Sequence, residues 1–147
     1  MNVLMFIFRC SSVDVSAYVR LSAGADGHGD GGLFNVSTMC PGSHLNLRFL
    51  DAPLFSTLKV GAVSQTAMIN LPPTFEGQWH ISSPVRVVTG NPTVVDPMGL
   101  GRSRQFYEFN HGDTCAGASW WGPIIPPSAA QSSVHIETNE TAYIHFT

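Results

Sequence analysis

Arg102 and Arg104, two of the seven basic side chains in this 147-residue chain, stand beside two glycines in DPMGLGRSR (96–104). Guanidinium groups next to glycines suggest an anion site, because the arginine fork binds carboxylate or phosphate bidentately. A nucleotide loop is excluded by context. Phosphate loops need GxxxxGK[ST] or GxGxxG leading into a helix whose N-terminus holds the anion. Gly99-Leu100-Gly101 completes neither pattern and leads into RQFYEFN, which reads as a strand. What remains is an Asp-Pro turn whose glycines suit positive φ, with two arginines two positions apart on one side of the following strand. Their expected partners are the internal carboxylates Asp96 or Glu108, and anion binding by Arg102 and Arg104 is the alternative.

Other stretches hold reactive residue types without a complete site. HGDTC (111–115) alternates His111, Asp113 and Cys115, which in a nucleophilic site would serve as base, orienting acid and thiol. Alternation along one strand seldom gives that geometry, so a polar turn is expected and no catalytic residue is assigned. GADGHGDGG (24–32) brings Asp26, His28 and Asp30 together, but a calcium loop needs more oxygen ligands in a fixed order. A solvent loop is expected there. The six histidines form no HxH or HExxH, so neither a metal site nor any other cofactor is expected. Trp120 and Trp121 adjoin Gly122-Pro123, and neighbouring strand residues face opposite ways, so one of them should be partly exposed. With His111 they form a candidate ligand surface for sugar or protein.

The elements that must position these residues are strands. Fourteen glycines and ten prolines interrupt every helical pattern, whereas alternation recurs throughout, as in Val13, Val15, Ala17, Val19 and Leu21. Strands are expected at 33–39, 44–52, 56–62, 67–71 and 78–83, separated by Pro41-Gly42, Ala52-Pro53, Pro72-Pro73 and Glu76-Gly77. Their apolar anchors, beginning at Leu45, Leu58, Ile69 and Trp79, step by 13, 11 and 10 residues. Further strands are expected at 84–90, 104–110 and 115–121. SVHIET and TAYIHF then form a terminal hairpin or two consecutive rungs. This rhythm predicts one all-β domain of short stacked strands, β-solenoid-like or a two-sheet β-sandwich. The expected core is Leu45, Leu47, Leu58, Val60, Ile69, Leu71, Trp79 and Ile81. Residues 1–32 read as abbreviated N-terminal strands and a Gly-rich loop, and 33–147 as the all-β domain.

Composition narrows the function classes. Hydrophobic residues make up 44% and charged residues only 12%, against a usual charged share of about 25%, so the chain folds rather than staying disordered. A net charge of −3 with scattered cations provides no basic face for nucleic acid. The apolar run Val3 to Phe8 is far shorter than the roughly 20 residues of a membrane-spanning helix and reads as a strand or a cut end. Cys10, Cys40 and Cys115 suit one disulfide with a thiol left over, or three buried thiols. Sequons occur at Asn35 and Asn139.

LPPTFEG (71–77), the strand after it, and DPMGLGRSR followed by an aromatic strand resemble an uncharacterised fungal, mushroom-type family of unknown function. That family carries Leu-Pro-x-x-Phe/Tyr-Glu-Gly and then Asp-Pro-x-Gly-x-Gly-Arg-x-Arg, and the match runs from about Leu33 to Phe146. The resemblance implies an adhesin-like β-solenoid with no assigned activity, cofactor or catalytic residue. Two function classes follow. One is a non-enzymatic structural or interaction module. The other is a carbohydrate-binding or hydrolase-like protein using Trp120, Trp121, His111 and Arg102.

Overall fold

The alternating segments emerge as strands in a computed structural model that describes residues 3–10, 14–20, 33–51, 57–124 and 132–147. The expected solvent loop at 24–32 lies outside the described residues. The strands are β1 (Val3–Arg9), β2 (Val15–Arg20), β3 (Leu33–Asp51), β4 (Thr57–Leu71), β5 (Gly77–Ser82), β6 (Val85–Gly90), β7 (Arg104–His111), β8 (Thr114–Trp121), β9 (Ser133–Thr138) and β10 (Thr141–Phe146). There is no helix among the described residues, and the sheet does not close on itself, so the fold is all-β and open.

Two of the expected breaks do not break a strand. Residues 33–39 and 44–51 form one strand, β3, because Pro41-Gly42 is absorbed by a register shift between Cys40 and His44 against β4. The buried positions show what the shift does. They are Phe34, Val36, Thr38 and Cys40 before it, then Ser43, Leu45, Leu47 and Phe49 after it. A step of three replaces a step of two, so both halves of β3 keep their apolar side toward one core as the chain changes direction. β4 changes phase in the same way, from Leu58, Val60, Ala62 and Ser64 to Ala67, Ile69 and Leu71.

β3 and β4 therefore each run past two half-sheets. In the first half-sheet the order is β1-β3-β4-β9-β5-β8-β7; in the second, β2, β3, β4, β10 and β6 lie side by side. All of these pairings are parallel except those of the β7–β8 hairpin, whose strands add antiparallel to β5. The last segment corrects the hairpin alternative. β9 and β10 do not pair with each other; they follow one another along β4, β9 against Lys59–Ser64 and β10 against Ala67–Leu71. On their other side lie β5 and β6. The C-terminal rung is thus inserted between segments that precede it in sequence.

All eight expected core residues are buried, and the cluster continues through Val36, Phe49, Val134, Ile136, Ile144 and Phe146. Each fully buried side chain of this size contributes roughly 1.5–3 kcal/mol. The corners between half-sheets are polar. Thr138 Oγ1 donates to Ser83 Oγ at 2.8 Å, Ser64 Oγ donates to the Thr66 carbonyl at 2.9 Å, and the Glu140 amide donates to the Gln65 carbonyl at 3.1 Å. These bonds satisfy groups that burial would otherwise leave at a cost. At the β1–β3 corner the tie is covalent, a Cys10–Cys40 disulfide, and Cys115 is the free buried thiol.

Candidate functional site

The loop before β7 is built around one carboxylate. The Asp96 carbonyl accepts the Gly99 amide at 2.9 Å, closing the turn. Asp96 Oδ1 accepts the Met98 amide at 3.0 Å, and Oδ2 accepts the Arg102 amide at 3.1 Å. The Arg102 fork then donates from Nε to Oδ2 at 2.8 Å and from Nη2 to Oδ1 at 2.9 Å. Wrapping the chain this tightly takes left-handed backbone at Gly99 (φ 69°) and Gly101 (φ 67°), where glycine carries no Cβ penalty. The Asp96 side chain is fully buried. The Arg102 hydrogen bonds outweigh burial and hold its carboxyl well below the usual range, and Asp96 in turn raises Arg102.

Arg104 faces the same way but has different partners. Nε donates to Ser119 Oγ at 3.0 Å, Nη2 to the Phe75 carbonyl at 3.0 Å, and Nη1 to the Thr147 carbonyl at 3.3 Å. The guanidinium carbon lies 4.8 Å from the Phe146 ring centre, 5.4 Å from Trp121 and 5.8 Å from Phe106. These are cation–π distances. Burial pushes its pKa down to about 10, so it stays protonated at neutral pH. The two sequence motifs meet here, since Phe75 of LPPTFEG accepts from Arg104 and the Pro73 carbonyl accepts Trp121 Nε1–H at 2.9 Å. Beside them is an open cleft of about 440 Å³ lined by Asn91, Pro92, Val94, Arg102, Arg104 and Phe106.

Arg102, Arg104 and Trp121 therefore come together, with Asp96 as the internal partner of Arg102. Trp120 and His111 do not join them. Trp120 pairs with Gln105 on the outer face of the hairpin, opposite to the face that carries Trp121 and Arg104. His111 pairs with Thr114 at the far end of β7, seven positions from Arg104, a distance of roughly 23 Å along a strand. Cys115 faces the core opposite Asn110, while His111 is exposed on the other side of the strand. Burial first of all raises the Cys115 thiol pKa, which disfavours the thiolate. HGDTC is a polar turn in which Thr114 Oγ1 donates to the His111 carbonyl at 2.8 Å. Among the described residues, no group of three or more His, Cys, Asp or Glu side chains is placed to hold a metal ion.

Sequence reasoning did not single out the outward positions of the strands. On β7, Tyr107 and Phe109 are 61% and 58% exposed on the outer face, at an edge that among the described residues is paired only on its β8 side. The signal was present in RQFYEFN, whose aromatics fall on both faces of one strand, something a half-buried strand does not need. No family model, no curated protein and no solved structure matches the chain.

Proposed function

We propose that the protein is a non-enzymatic structural or interaction module, an adhesin-like stack of rungs that joins a second copy of itself through the β7 edge. The observation that carries this reading is the state of β7. Its outer backbone edge has no neighbouring strand among the described residues, and Phe106, Tyr107 and Phe109 are all exposed. Edge strands that stay unpaired are guarded by charged side chains, lysine above all, by proline, a bulge, a covering loop or extreme shortness. β7 is eight residues long, contains neither lysine nor proline, and runs in unbroken register with β8; of its two charges, Arg104 is held by Ser119 and the Phe75 carbonyl, and Glu108 accepts from Asn110 of the same strand. Strand addition there supplies main-chain hydrogen bonds for affinity and aromatic contacts for specificity.

The charged and nucleophilic groups support the non-enzymatic part. Arg102 and Asp96 neutralise each other, Arg104 is committed to neutral acceptors and rings, and Cys115 faces the core away from His111. Sedimentation velocity over a concentration series tests the proposal. The parent chain is expected to associate as concentration rises, and the Tyr107→Lys/Phe109→Lys double variant to remain monomeric and to melt at the parent's temperature at concentrations where both are monomers, since both side chains are exposed. A parent chain that stays monomeric throughout, or a double variant that associates equally well, contradicts it.

A further inference from the structure

The second half-sheet has an outer face that β7 does not touch. Along it the parallel register aligns Ser16, Asn46, Met68 and Tyr143 in one row, and Tyr18, Arg48, Asn70 and His145 in the next. Two adjoining depressions of about 200 and 260 Å³ lie over these rows and share Ser16, Asn46 and Met68 as their common floor. Together they make a shallow groove running across β2, β3 and β4 to β10. Ser16 leaves it open, while Tyr18, 69% exposed, and Tyr143, 39% exposed, rise beside it.

The groove divides into a closed end and a free middle. Its end near the corner is internally satisfied: Asp14 Oδ1 accepts the His44 amide at 3.1 Å, and His44 Nδ1 lies 2.6 Å from Thr66 Oγ1. In the middle of the groove, among the described residues, the side chains of Asn46, Asn70 and Arg48 and the two tyrosine hydroxyls make no hydrogen bond or ion pair with the protein. Two amides offer both donors and acceptors, Arg48 offers a donor fork, and the tyrosines add ring faces with a polar tip. One cation and no carboxylate in that central set do not suit a polyanion such as nucleic acid. Met68, 42% exposed, adds an apolar contact to the groove's floor.

We infer that this groove binds an extended neutral oligosaccharide. Sugar hydroxyls are both donors and acceptors, which matches Asn46, Asn70 and Arg48, and the C–H faces of a pyranose stack on exposed phenol rings such as Tyr18 and Tyr143. Neighbouring strands repeat at about 4.8 Å, so Asn46 and Asn70 stand on adjacent strands while Tyr18 on β2 and Tyr143 on β10 flank them, a span that an extended ligand can bridge. The inference stands on a different face from the β7 edge and does not depend on self-association.

Isothermal titration with the hexasaccharides of β-1,4-glucose, β-1,3-glucose, β-1,4-N-acetylglucosamine, β-1,4-mannose and α-1,4-glucose tests it. At least one is expected to bind. Tyr18→Ala, and separately Asn46→Ala/Asn70→Ala, should each weaken binding at least about tenfold, the scale of losing one stacked ring or a pair of hydrogen bonds. Tyr107→Lys/Phe109→Lys should leave it unchanged, and melting curves should show each variant folded. No binding by any of the five, or binding that survives both groove variants, overturns the inference.

Discussion

Asp96 is the side chain around which the loop is organised, and its protonation should be visible in stability. The folded carboxyl is held below its unfolded value, so its contribution is complete at neutral pH and is lost as pH falls below about 4. Asp96→Asn should therefore melt lower than the parent at pH 7, and the gap should narrow as the pH is lowered through that window. A gap that does not change with pH would detach the loop's stability from the Arg102 pair. The glycines make a separate demand. A Cβ at Gly101 would meet no atom within 4 Å, so Gly101→Val is sterically open in space and strained only through its φ of 67°. Its expected cost is about 1–2 kcal/mol by chemical denaturation. A variant as stable as the parent would show that the turn adapts.

At the scale of elements, the corners decide how rungs hold together. The Cys10–Cys40 bond fastens β1 to β3 where later corners rely on Ser64, Ser83 and Thr138 hydroxyls. Closing a span of 30 residues contributes about 3–4 kcal/mol in the chain-entropy account. Denaturation with and without reductant is expected to differ by that amount, and equal curves would mean that the corner holds without its covalent tie. Much of this level was legible in the sequence. Strict alternation located the inward residues Leu45, Leu47, Leu58, Val60, Ile69 and Leu71, because period two leaves little choice of face. The joining of 33–51 into one strand was not legible. Proline and glycine mark both a turn and a bulge, and only the neighbouring strand β4 shows which of the two Pro41-Gly42 makes. The separation of His111 from Trp121 depended likewise on the hairpin register, which residue types alone leave open.

The whole molecule is an open all-β sheet, and the placement of its last two strands could not be read from order along the chain. β9 and β10 bury Val134, Ile136, Ile144 and Phe146 between β4 on one side and β5 and β6 on the other. Nothing in SVHIET or TAYIHF distinguishes that position from a hairpin, since both satisfy the same alternation. Once these strands are inserted, β5 and β8 are paired on both sides, and β7 is one of the two outer edges of the first half-sheet, β1 being the other. The loop DPMGLGRSR sets where that edge begins: Asp96 fixes Arg102, and Arg104 anchors the first residue of β7 between Phe75, Ser119 and Phe146. The arginines thus fix the start of β7, the strand through which self-association is proposed. Amide hydrogen exchange along β7, measured at low and high protein concentration, tests this most directly. Protection of Phe106 to Asn110 that increases with concentration, and is lost in Tyr107→Lys/Phe109→Lys, is the predicted result; exchange in β7 that is the same at every concentration would contradict it.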